Sequence, residues 1–132
     1  ALAAPRMTPD LIATLRGHLR EWEALRLTTS PETMDREAAL NQAFHFTIYR
    51  ACGSEVLLPM IESLWLQSGP CTRAAIFAFS EAGEHDTASF HRALLSALER
   101  GDAAAARAAL VADISRPFAY LRSKLEKTGE MA

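Results

Sequence analysis

The stretch SFHRALLSALERGDAAAARAALVADI, residues 89–114, decides the fold. Two runs rich in Ala and Leu, with apolar residues three and four apart, flank Gly101-Asp102. Glycine ends one helix in a left-handed conformation and aspartate caps the next, so the stretch predicts two antiparallel helices joined by a minimal turn. His91 lies about ten residues before that turn and Asp113 about eleven after it, which at equal rise sets them side by side. Asp113 follows Leu110 and precedes Phe118, so it occupies or borders the apolar stripe, where a carboxylate needs a partner.

Working outward, the same punctuation recurs. Thr8-Pro9-Asp10 supplies an N-cap, a proline at the first helical position and an acid for the helix dipole, opening a helix to about Leu27. Ser30-Pro31-Glu32 precedes a second helix from about Met34 to Cys52, which Gly53 stops. Ser54 caps a third from Glu55 to about Phe79, with a kink expected at Ser68-Gly69-Pro70. A loop, SEAGEHD, leads to a fourth helix from about Thr87 to Arg100, and the fifth runs to about Lys124. Alternating strand patterns are almost absent. The expectation is an all-α, antiparallel helical bundle of about five to six helices, one domain over residues 1–132.

The 132 residues are 49% hydrophobic and 23% charged, with no apolar run approaching a membrane span. A formal net charge of −2 gives no basic field for a phosphate backbone, so direct nucleic-acid binding by this chain is not expected. Cys52 and Cys71 lack CxxC spacing and read as two small buried thiols in a reducing, cytoplasmic compartment. The chain opens on ALAAPRMTPD without an initiator Met, and is expected to be part of a longer protein.

The polar residues aimed inward carry the functional reading. Asn41 and His45, in NQAFHFTIYR (41–50), share a helix face with Ile48 and Cys52, whereas Arg50 points to solvent. Asn41, His45, His91 and Asp113 can converge, offering an amide oxygen, two imidazoles and a carboxylate. That set suits a borderline divalent ion such as Zn²⁺, Ni²⁺ or Mn²⁺, with positions left for water or a ligand carboxylate. The plainer alternative is a set of core polars satisfied by one another, Asp113 pairing with His91. Ser68 and Thr72 continue the row Leu57, Ile61, Leu64, expected to be core; their hydroxyls either bond back to the helix or line a cavity. Arg73 would be the natural partner of an anionic ligand if the kink turned it inward. Trp22 and Trp65 read as core or interface aromatics.

Taken together, NQAFHFTIYRACGSEVLLPMIESLW, SFHRALLSALERGDAAAARAALVADI and the helical layout resemble the FCD domain, the C-terminal effector-sensing domain of the FadR subfamily of GntR bacterial transcription regulators. The resemblance covers nearly the whole chain. Metal-binding members of that family use an Asp and a His four apart on one helix and two further His on the last helices. Here Asn41 stands at the Asp position, His45 and His91 at the next two, and Asp113 at the final His position. The more oxygen-rich set shifts preference toward Mn²⁺ or Mg²⁺. The resemblance further implies a small carboxylate metabolite as ligand, a homodimer, and DNA contact only through an N-terminal winged helix-turn-helix outside this chain.

Two other classes compete. His45, the His85-Asp86 doublet and Asp113 follow the order of an HD-type metal-dependent phosphohydrolase, but Asp86 also reads as an ordinary helix cap, and that reading leaves Asn41 and His91 without roles. A dimerisation bundle without ligand requires every inward polar to be internally satisfied. No nucleophile-base pair is evident, so catalysis is not expected.

Overall fold

A computed structural model describes residues 1–25, 31–81 and 87–129. A short 3₁₀ turn, Ala4–Arg6, precedes five helices: α1 Pro9–Leu25, α2 Pro31–Ala51, α3 Leu57–Glu81, α4 Thr87–Glu99 and α5 Ala103–Gly129. No strand occurs among the described residues, and no helix there is long and apolar enough to cross a membrane.

The helix ends follow the punctuation of the sequence. The Leu11 amide donates to Thr8 Oγ1 at 3.3 Å, and the Leu57 amide to Ser54 Oγ at 3.1 Å. At the α4–α5 turn, Gly101 takes φ +66°, the Gly101 amide donates to Leu98 O at 3.0 Å and the Asp102 amide to Ala97 O at 2.9 Å. This is the paired closure of a Schellman turn. Asp102 then caps α5, its Oδ1 accepting from the Ala105 amide at 2.9 Å. Gly53 takes φ +63° at the end of α2, where the Arg6 guanidinium donates to the Cys52 carbonyl and holds the N-terminal turn against that end.

α1 packs on α2 and α4, α4 on α5, and α5 on α3; α3 touches α2 only lightly. The apolar cluster draws on Leu15 and Leu19 of α1, Phe44 and Ile48 of α2, Leu94 and Leu98 of α4, and Ala106 of α5, all buried.

Several sequence expectations need correction. α2 begins at Pro31, because proline at a first helical position has no amide to lose. α3 begins at Leu57, after the turn that Ser54 caps, and runs unbroken through Pro70 to Glu81. α5 continues past Lys124 to Gly129, through Pro117, on a segment of strong helix formers. The row Leu57, Ile61, Leu64 is not core: Leu57 is 41% and Leu64 63% exposed, since α3 is the outer helix, held mainly by α5. Cys71 lies on the exposed side of that helix, whereas Cys52 is buried, and both are free thiols. The first helix's end near Leu27, the Ser30 cap, the His85-Asp86 doublet and the last residues of the tail lie outside the described residues.

Candidate metal and effector site

Asn41, His45 and Tyr49 recur every fourth residue on α2 and so form one row. The row faces His91 of α4 and Asp113 of α5. His45 Nε2 lies 3.0 Å from Asp113 Oδ2, His91 Nε2 lies 3.3 Å from the same oxygen, and the two Nε2 atoms are 3.3 Å apart. Both imidazoles are buried and the carboxylate is nearly so.

Aromatic side chains fix the rings. Phe44 stacks on His91 with centroids 4.5 Å apart, and Trp22 meets the same ring edge-on at 4.5 Å. The Tyr49 hydroxyl lies 3.3 Å from His45 Nδ1, so which nitrogen of His45 carries the proton is tied to the phenol's orientation. Trp65 tilts over His45 at 5.9 Å.

The electrostatics follow from burial and these contacts. Burial alone would raise the Asp113 pKa; hydrogen bonds from His45 and then His91, with the charges of those rings, more than reverse it and hold the carboxyl well below its usual range. The Tyr49 phenol is pushed up to about 12, first by burial and then by the Asp113 charge, so it stays neutral beside His45.

The triad sits in the wall of a cavity of about 420 Å³ to which all five helices contribute. Asn41, His45, His91 and Asp113, the four residues singled out by sequence, all line it, as do Ser68 and Thr72. The Ser68 hydroxyl bonds back to the Trp65 carbonyl at 3.5 Å. Arg73 is not among the lining residues: it is exposed and pairs with Asp35 of α2.

The residues fit a divalent cation. Donors sharing one ion at bonds of about 2.1 Å stand roughly 3.0 Å apart at right angles and roughly 3.4 Å apart at tetrahedral angles. The separations here, 3.0–3.3 Å, fall in that interval for three atoms of suitable type. Asn41, one turn before His45 on the same row, also lines the cavity.

Four residues of the site were not read as part of it from the sequence. Tyr49 continues the 41–45 row, a signal available in the spacing; attention to Ile48 and Cys52 followed the neighbouring face, which is buried in the apolar cluster instead. Trp22 touches His91 from α1, a contact no local pattern announces. Ile114 and Phe118 of α5 complete the wall.

The family model described as FCD domain matches residues 1–116. This chain belongs to the FCD domain family. No curated protein and no solved structure matches it. FCD domains are effector-binding domains of GntR-family transcription regulators and not a family of enzymes. The matched span of this FCD domain contains the whole triad, Asn41 and the α3 part of the cavity wall.

Proposed function

We propose that this FCD domain is the ligand-sensing and dimerisation part of a bacterial GntR-type regulator acting in the cytoplasm. In this reading His45, His91 and Asp113, with Asn41, hold a divalent cation, and a small carboxylate metabolite enters the cavity beside them. One observation carries the reading: three donor atoms of the right kind stand 3.0–3.3 Å apart in a cavity walled by every helix of the bundle. Two imidazoles with carboxylate and amide oxygen suit Zn²⁺, Ni²⁺ or Mn²⁺.

When bound, the ion supplies the positive charge that a carboxylate ligand requires next to Asp113. The protein's own groups do the rest. Asp113 keeps its negative charge at every ordinary pH, and neutral Tyr49 orients His45 through Nδ1. Because the wall draws on all five helices, a ligand there binds differently to two packings of the bundle, and that difference is what can move DNA-binding heads in a homodimer. A hundredfold change in operator affinity needs a coupling of only about 2.7 kcal/mol. DNA contact would come from a separate winged helix-turn-helix.

A second reading, a bundle without ligand, draws support from the same contacts, since His45 and His91 can both bond Asp113 without an ion. Elemental analysis of protein purified without chelator or His-tag separates the two. About one equivalent of transition metal is expected in the native protein and none in the His45→Ala, His91→Ala double variant, with circular dichroism showing that the variant is folded. Metal-free native protein that also fails to bind Zn²⁺, Ni²⁺ or Mn²⁺ by calorimetry would sink the metal reading.

A further inference from the structure

The cavity wall divides by chemistry. Asn41, His45, Tyr49, His91 and Asp113 form its polar end. The remainder is dominated by Ile61, Leu64 and Trp65 of α3 and by Leu110, Ile114 and Phe118 of α5. The two hydroxyls in that part, Ser68 and Thr72, are neutral, and Ser68 is already turned onto its own helix. No lysine or arginine is among the described lining residues. The two arginines nearest the wall in sequence are committed elsewhere: Arg73 pairs with Asp35, and the Arg116 guanidinium lies 5.4 Å over the Phe90 ring.

This asymmetry discriminates between acids. A ligand's first carboxylate can sit at the polar end against a cation. A second carboxylate lying along that wall would lose water against hydrocarbon with no opposite charge among the described lining residues, which is unfavourable. An apolar body placed there instead gains from leaving water. The volume, about 420 Å³, lies toward the small end of ligand pockets and suits about ten to fifteen non-hydrogen atoms.

We propose that the cavity selects a monocarboxylic acid with an apolar body, aryl-alkyl or aliphatic, over di- and tricarboxylic acids. The carboxylate lies toward His45, His91 and Asp113, and the body lies against α3 and α5. The proposal rests on the reading of His45, His91 and Asp113 as a cation site. Ile114 is its most direct probe, because it lies in the apolar wall and is 46% exposed, so a charged residue there is tolerated by the fold.

The experiment is calorimetric titration of the whole chain, first with Mn²⁺ and Zn²⁺, then, at metal saturation, with 4-phenylbutanoate, octanoate, succinate and glutarate. The monoacids are expected to bind at least tenfold more tightly than the diacids. Ile114→Arg is expected to narrow or invert that ratio by strengthening glutarate and weakening 4-phenylbutanoate. Metal binding accompanied by diacids that match or exceed the monoacids overturns the proposal while leaving the cation site standing. Failure to bind either metal removes the cation site and the proposal with it. An unchanged ratio in Ile114→Arg shows that the ligand body does not lie along α5, and overturns the assignment of the apolar wall.

Discussion

Two neighbouring layers of this bundle are built from the same four helices and do opposite things. Near the α4–α5 turn, Leu15 and Leu19, Ile48, Leu94 and Leu98, and Ala106 fill the space between α1, α2, α4 and α5. One or two turns further along the same helices come Trp22, Asn41 and His45, His91, and Asp113, and beside them a cavity opens toward α3. The first layer is closed by shape: branched aliphatics meet alanines, and nothing polar needs a partner. The second is closed by polar contacts among three groups and left open on the α3 side, where Leu64 is 63% exposed although it lines the cavity. Close packing lies in one layer and the proposed binding site in the other, on helices that the two share.

The comparison can be broken most forcefully in the filled layer. Leu94→Ala removes a side chain that is 1% exposed, and should cost about 3–4 kcal/mol of unfolding free energy by urea denaturation. A loss below about 1 kcal/mol would mean that this layer is not the stabilising one. In the open layer the largest expected effect is on binding: Tyr49→Phe removes the phenol beside His45 Nδ1 and should weaken metal binding about tenfold by calorimetry, with a stability cost of about 1 kcal/mol or less.

Acid sharpens the contrast. Since the folded carboxyl of Asp113 titrates below its unfolded counterpart, its contribution is fully present above the unfolded value and is lost as pH falls through and below the usual carboxylate range. In metal-free protein, stability measured from pH 6 to pH 2 should therefore fall less steeply in Asp113→Asn than in the native chain. An identical slope would show that the triad is not coupled as drawn. The smallest effect belongs to Leu64→Ala, which should change stability by no more than about 0.5 kcal/mol while still altering ligand affinity.

How much of this was legible depended on whether each signal was local. Gly53, Ser54, Gly101 and Asp102 announce helix ends by residue type alone, and the structure places ends where they stand. The side-by-side placement of His91 and Asp113 followed from equal rise on either side of a minimal turn, and their 3.3 Å approach is the outcome. Asn41 and His45 were visible as polar residues on an inward face. What the sequence could not convey was which helix would be outermost. The spacing of Leu57, Ile61 and Leu64 is that of a core stripe, yet burial depends on what packs opposite, and among the described residues α3 packs mainly on α5. Arg73 depends on tertiary placement in the same way: it stands exposed beside Asp35 of α2, a pairing that no spacing on α3 encodes. Trp22 is attached to the site only through tertiary packing against His91, which no periodicity on α1 encodes.

The triad also has a consequence for the connectivity of the chain. Its two imidazoles lie 46 residues apart in sequence and its carboxylate comes from a third helix. An ion shared by the three would act as a removable cross-link, closing loops of a length for which chain-entropy arguments assign on the order of 4 kcal/mol to a covalent bridge. Unlike a disulfide, such a link would form and dissolve with the concentration of free ion, so the looser layer of the bundle would be taut in a metal-replete solution and slack in a depleted one.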